Sequence, residues 1–270
     1  MSLLAADAVS RAYETGMGWG ERQKTRVLDA VSVSIEAGET VGLLGRSGCG
    51  KSTLARLLVG LERPDAGCVR FEGRPLDELS KAERLAFRRS VQMVFQDSLG
   101  AVDPRSTVRA ILAEPLRHLL KLSKSEREPA IADLLRRVGL EPRDADKLPG
   151  QMSGGQLQRV CIARALAPQP KLIVLDEAVS NLDLHLQIQM LDLFEHLRRE
   201  TGLAYLFVTH DLRLVERFAS RVLVMDEGRV CEEAAVSRPL ALASPAGRAL
   251  GAAVLPAMPG ATRRPARAAG

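Results

Sequence analysis

Gly45-Arg46-Ser47-Gly48-Cys49-Gly50-Lys51-Ser52-Thr53 sets two glycines, with four residues between them, ahead of a lysine and two hydroxyls. A short apolar stretch, Val41-Gly42-Leu43-Leu44, precedes this run, and a helical pattern from about Ser52 to Val59 follows it. That is the strand–loop–helix setting in which GxxxxGK[ST] cradles phosphate. Glycines let the backbone wrap with its N–H groups pointing inward, and the start of the next helix adds partial positive charge. Lys51 is then expected to neutralise the β- and γ-phosphates of a nucleotide, and the Ser52 hydroxyl to ligate Mg2+.

A second run, Leu172-Ile173-Val174-Leu175-Asp176-Glu177, reads as a buried strand ending in two carboxylates. Asp176 suits a place on Mg2+ opposite Ser52, directly or through water, and Glu177 suits a general base for an attacking water. Adjacent carboxylates after a strand are often solvated loop charges; their place on a later strand of a chain with a phosphate loop favours the chemical reading. A third run, Met152-Ser153-Gly154-Gly155-Gln156, stands before a helix at Leu157–Leu166. Taken alone it is a serine N-cap with flexible glycines. Its small residues, hydroxyl and free N–H groups also make a second anion-binding helix start.

The elements that must carry these residues alternate. Val27-Leu28 and Val31–Ile35 read as strands, and Gly16–Gly20, with Trp19, as an exposed loop. Val69–Phe71 and Val91–Phe95 are further strands, separated by a charged helix near Lys81–Arg89. From about Asp97 to Gln158 helical periodicity takes over, with Leu112, Leu116 and Leu119 on one stripe and Ile131, Leu134, Leu135 and Val138 on another. Strand and helix then alternate to Met225, which predicts a parallel sheet flanked by helices with a helical insertion. After Arg229 the chain turns Ala- and Pro-rich.

Composition fits this plan. The 270 residues are 46% hydrophobic, enough for one large domain with a subdomain. Aromatics are only 3%, so aliphatic side chains are expected to fill the core. No apolar run approaches the roughly 20 residues of a membrane-spanning helix. The start, Met1-Ser2-Leu3-Leu4-Ala5-Ala6-Asp7, does not read as a signal peptide, so a cytoplasmic chain is expected. The net charge of +5 is spread along the chain, with a small group at Arg263, Arg264 and Arg267 and no interleaved aromatics. Nucleic acid is therefore not an expected partner. Cys49, Cys68, Cys161 and Cys231 form no CxxC pair, so no zinc site or disulfide framework is expected. Cys49 alone lies in a functional loop, where alkylation is expected to block nucleotide binding.

The three runs, together with Ser180-Asn181-Leu182-Asp183 and Thr209-His210-Asp211, resemble the ordered motifs of ABC ATPases over about Ala5 to Val230. The resemblance implies an α/β fold: a P-loop NTPase core with a parallel sheet, an N-terminal antiparallel β subdomain and an inserted helical subdomain at about 97–158. The ATPase domain would span 1–234 and a C-terminal tail 235–270. The resemblance implies roles as well. Gln96 joins the core to the helical subdomain and senses metal and the attacking water. His210 contacts the γ-phosphate and orients water. Asp183 communicates across a dimer, and Tyr13 stacks on adenine. Ser153 and Gly155, with Gln156, form the signature loop that closes in trans over ATP held by the partner's phosphate loop. Met152 departs from the usual leucine, a change of little volume.

Finer runs resemble the dipeptide, oligopeptide and nickel uptake branch. These are Arg88-Arg89-Ser90-Val91-Gln92-Met93-Val94-Phe95-Gln96-Asp97 and Asp103-Pro104-Arg105. Glu177-Ala178-Val179-Ser180-Asn181-Leu182-Asp183, Thr209–Phe218 and the tail Ala253-Val254-Leu255-Pro256 point to the nickel side. Peptide importers usually have proline and alanine where Ala178 and Asn181 stand. The resemblance implies nickel as cargo, with dipeptide or oligopeptide import as the alternative. The implied partners are a sister ATPase in a heterodimer, two membrane permeases and a periplasmic solute-binding protein. The implied place is the cytoplasmic face of the bacterial inner membrane. Nickel itself is not expected to bind this chain, because His118, His185, His196 and His210 are dispersed. ABC ATPases that act on ribosomes or DNA, a further class, usually carry two ATPase domains or a long coiled-coil insertion.

Overall fold

Apolar and polar residues alternate through Val31-Ser32-Val33-Ser34-Ile35, and the three apolar side chains are buried. The period of two makes this stretch one face of a strand. It belongs to β2 (Gln23–Ile35), which pairs antiparallel with β1 (Leu4–Thr15). The structure is a computed structural model that describes residues 2–15 and 23–253. The Gly16–Gly20 segment, Arg263, Arg264, Arg267 and Val254-Leu255-Pro256 lie outside the described residues.

Next come β3 (Thr40–Gly45), α1 (Lys51–Leu58), β4 (Ala66–Phe71), β5 (Arg74–Pro75), α2 (Lys81–Ser90) and β6 (Val91–Val94). The helical insertion holds α3 (Val108–His118) and α4 (Lys124–Arg137), then two 3-10 turns at Pro142–Asp146 and Pro149–Gln151, then α5 (Gly154–Leu166). The chain returns to the core as β7 (Leu172–Asp176), α6 (Leu184–Thr201), β8 (Ala204–Thr209), α7 (Leu212–Phe218) and β9 (Arg221–Asp226). It ends with β10 (Arg229–Ala235) and α8 (Pro245–Ala253).

Two sheets result. The first, β2-β1-β4-β5, is antiparallel; the second runs β10-β9-β3-β8-β7-β6. In the second sheet β6, β7, β8, β3 and β9 are parallel, and only β10 is antiparallel. Strand alternation divides the core between the two faces. Ile173, Leu175, Tyr205 and Phe207 point toward the helical insertion and α6. Leu172, Val174, Leu206 and Val208 point toward α1 and the antiparallel sheet. Strands buried on both faces read as continuous apolar runs, as β7 and β8 do.

Four of the nine aromatics gather in one place. Phe194, Tyr205, Phe207 and Phe218 pack together, with ring centroids 5.3 to 5.9 Å apart. A separate pair, Phe71 and Phe87, packs edge to face at 5.4 Å, so the core is aliphatic with two aromatic clusters rather than aliphatic throughout. Past Arg229, β10 pairs along β9, and Leu240 reaches the core. The Glu232 carboxylate accepts hydrogen bonds from the backbone N–H groups of Ala243 (2.6 Å) and Ser244 (2.9 Å), which folds this stretch back on itself.

Candidate active site

Parallel pairing aligns the carboxyl ends of β3, β7 and β8: Leu44 lies opposite Thr209, and Asp176 opposite Val208. In such sheets this edge is where ligands bind. The phosphate loop leaves β3 here. Gly45 has no room for a side chain, because a Cβ would come within 2.4 Å of the Met225 carbonyl oxygen. Gly50 has φ of 106°, and a Cβ there would meet the Val27 carbonyl oxygen at 2.8 Å. Gly50 is also the N-cap of α1 and offers no capping side chain, so the first-turn N–H groups face the loop's hollow without a side-chain acceptor.

The hollow is a cleft of about 370 Å3, walled by Ser47, Gly48, Gly50, Lys51, Ser52, Thr53, Val27, Gln96 and Glu177. Lys51 is 4% exposed, and its Nζ donates to the carbonyl oxygens of Gly45 and Arg46, both at 2.8 Å. Arg46 is exposed beside it, and Arg56 Nη2 donates to Thr53 Oγ1 at 3.5 Å. Cys49 lies within the same loop. Its side chain is buried against Gly45, and burial pushes the thiol up, away from the reactive thiolate.

Ser52 Oγ donates to Asp176 Oδ1 at 3.0 Å. Burial raises the Asp176 carboxyl above its ordinary range; the Ser52 hydrogen bond opposes this, the neighbouring Glu177 adds to it, and Arg56 and Lys51 oppose it. A buried carboxylate and a hydroxyl at one strand end are hard oxygen donors that fit Mg2+. Among the described residues there is no group of three or more His, Cys, Asp or Glu side chains placed to hold a metal.

Glu177 takes a left-handed backbone, φ 48°, rare for a residue with a side chain and worth about 1 kcal/mol of strain. Surrounding bonds hold it there. Its N–H donates to Val208 O at 3.0 Å, and its carbonyl oxygen accepts from the Ser180 N–H (3.1 Å) and hydroxyl (2.8 Å). Gln96 Nε2 donates to Glu177 Oε2 at 3.1 Å, and His210 Nδ1 lies 3.7 Å from Oε1. Gln96, Glu177 and His210, from three separate strand ends, thus meet around one carboxylate.

The remaining candidates lie away from the cleft wall. Ser153 caps α5: its hydroxyl accepts from the Gln156 N–H at 3.2 Å, while Gln156 Oε1 accepts from the Ser153 N–H at 3.0 Å. Gly155 follows in the first turn, its Cα facing Leu186. Asp183 caps α6 by accepting from the Leu186 N–H at 2.9 Å. Tyr13 donates its hydroxyl to Glu62 at 2.5 Å, and the Arg11 guanidinium lies 5.0 Å over its ring. A second hollow of about 510 Å3 opens between the core and the helical insertion, with Leu61, Phe95, Glu114, His118 and Arg164 in its wall. It draws on separated parts of the chain, so no local pattern marked it.

Residues 28–180 match the family model for ABC transporters. Over 259 residues the chain is 62% identical to the nickel import ATP-binding protein NikE of Rhodospirillum rubrum, covering 96% of this chain and 94% of that protein. It is 56% identical to NikE of Escherichia coli K12, covering 96% and 97%. Among solved structures it resembles cbiO1 of Clostridium perfringens, part of the ABC transporter complex cbiONQ, with TM-score 0.74, 28% identity and coverage of 88% and 90%. It also resembles the ATP-binding cassette MJ0796, a dimer bound to ADP and Pi, with TM-score 0.75, 30% identity and coverage of 87% and 99%.

Proposed function

The chain belongs to the ABC transporter family of ATP-binding subunits, and from that premise we propose that it is the ATPase that powers a nickel importer. One observation carries the catalytic part: Ser52 and Asp176 are bonded at the cleft, with Glu177 held beside them by Gln96. The nickel assignment is supported by the 62% and 56% identities to nickel import ATP-binding proteins across nearly the whole chain.

In this reading the loop N–H groups and Lys51 bind the phosphates, with Gly45 to Thr53 wrapping them. Mg2+ would supply neutralisation of negative charge on the phosphates. Ser52 and Asp176 would hold it, with Gln96 nearby. Glu177 accepts a proton from water while Gln96 and His210 fix its carboxylate. Tyr13 offers adenine the ring face away from Arg11. The capped start of α5 presents Ser153, Gly155 and Gln156 to the nucleotide of a second ATPase subunit, and Asp183 lies along the same contact. ATP favours closure because both anion sites pull on one terminal phosphate, which ADP lacks.

Among the described residues no helix is long and apolar enough to cross a membrane. Attachment to the inner face of the membrane would come through two permeases, one docking in the hollow beside the helical insertion, with a periplasmic binding protein beyond them. Nickel accumulation in cells lacking this subunit tests the cargo. Loss of nickel uptake with peptide uptake intact is expected; the reverse pattern would move the chain to peptide import.

A further inference from the structure

Helix α5 grips the segment that follows Gln96 at two residues. Gln158, Cys161 and Arg164 recur every third position and so lie along one side of the helix. The Ser98 hydroxyl donates to Gln158 Oε1. The Cys161 thiol donates to the Ser98 carbonyl oxygen at 3.6 Å, and Arg164 Nη1 donates to the Ala101 carbonyl oxygen at 2.5 Å. Gln158 is 3% exposed, and its Nε2 has no hydrogen-bond partner. Turning the amide over only moves the deficit to the oxygen. A buried amide bonded at one end is uncommon.

The position of this contact gives it a role. Ser153 caps α5 five residues before Gln158. Ser98 lies two residues after Gln96, which donates to Glu177. One rigid helix therefore carries the signature loop at its start and the anchor of Gln96 in its second turn.

We propose that Gln158 is a positioning residue that, through Ser98, transmits engagement of the Ser153 loop on the partner's nucleotide to Gln96 beside this chain's own nucleotide. It rests on the reading of Gln96 and Glu177 given under Proposed function. Gln158 touches neither nucleotide nor water; it sets where the loop places the Gln96 amide, and thereby how the Glu177 carboxylate faces water. The two composite sites are joined at this contact.

ATP hydrolysis by the assembled complex, this chain with its sister ATPase and permeases, tests the proposal. Gln158→Met keeps the volume and removes both polar atoms; Ser98→Ala removes only the hydroxyl. Each is expected to lower kcat about tenfold while KM for ATP stays within about twofold. Ser98→Thr, which keeps the hydroxyl, should retain activity. In a Gln96→Ala background, Gln158→Met should change kcat by less than about twofold, because it acts only through Gln96. An additive loss in that background, a loss in KM alone, or an unchanged kcat for Gln158→Met would overturn the proposal. Should Gln158→Met not fold, Ser98→Ala at a half-buried loop position carries the same comparison. Glu177→Gln in the same complex separates the two levels. Full turnover there sinks the parent reading, whereas abolished turnover beside a silent Gln158→Met sinks only this proposal.

Discussion

Ser52 and Asp176, 124 residues apart in the chain, are joined by a 3.0 Å hydrogen bond from hydroxyl to carboxylate. The bond ties the first turn of α1 to the end of β7. It places two hard oxygen donors on one side of the cleft and the Glu177 carboxylate next to them. The chemistry proposed for the chain starts from this junction.

Glu177→Gln should preserve ATP binding and lower turnover by about 100-fold or more, because the amide cannot accept the proton from water. Nucleotide titration alongside steady-state hydrolysis checks this. Normal hydrolysis by the variant would remove Glu177 from the role of base.

Lys51→Ala should weaken ATP binding itself by about tenfold or more, since a charge-assisted contact to phosphate is lost. Calorimetric titration with ATP measures it. Unchanged affinity would contradict the assignment of the loop.

Asp176→Asn should separate stability from activity. Burial, opposed by the Ser52 hydroxyl, raises the Asp176 carboxyl above its ordinary value of 3.8. Between 3.8 and that raised value the folded chain holds a proton that the unfolded chain has released, so this group's contribution to stability falls as pH rises through the window. Removing the ionisable group should flatten that part of the pH profile and raise the melting temperature of the nucleotide-free chain at neutral pH. Magnesium-dependent hydrolysis should drop about 100-fold. A lower melting temperature with an unchanged pH slope would count against this account of Asp176.

Cys49 should resist alkylation in the folded chain, because it is buried and its thiol is pushed up by that burial. Iodoacetamide followed by mass spectrometry should label the exposed Cys231 first and Cys49 only on unfolding. Equal labelling rates would show that the loop opens readily.

What the sequence revealed and what it hid follow from how each feature is encoded. The phosphate loop was legible because its chemistry lies in nine consecutive residues between an apolar strand and a helix. β7 and β8 were legible because both faces are buried and their runs are uniformly apolar. β10 was not, because Glu232 sits on its half-buried face and Cys231 and Ala235 on its exposed face, which breaks the apolar alternation; its pairing with β9 is a tertiary fact. α8 hides in an Ala- and Pro-rich stretch, fastened by the Glu232 carboxylate. The capping roles of Ser153 and Asp183 follow local rules, whereas the bond between Ser98 and Gln158 joins side chains 60 residues apart that no periodicity connects. The Tyr13–Glu62 bond is of the same kind, spanning 49 residues.

The most direct test is sedimentation of the Glu177→Gln subunit with its sister ATPase, in magnesium and ATP. The account predicts association that requires ATP, disappears with ADP, and weakens when Ser153 is replaced by a bulky residue. Absence of any nucleotide-dependent association, or association indifferent to Ser153, would contradict a terminal phosphate gripped by two chains.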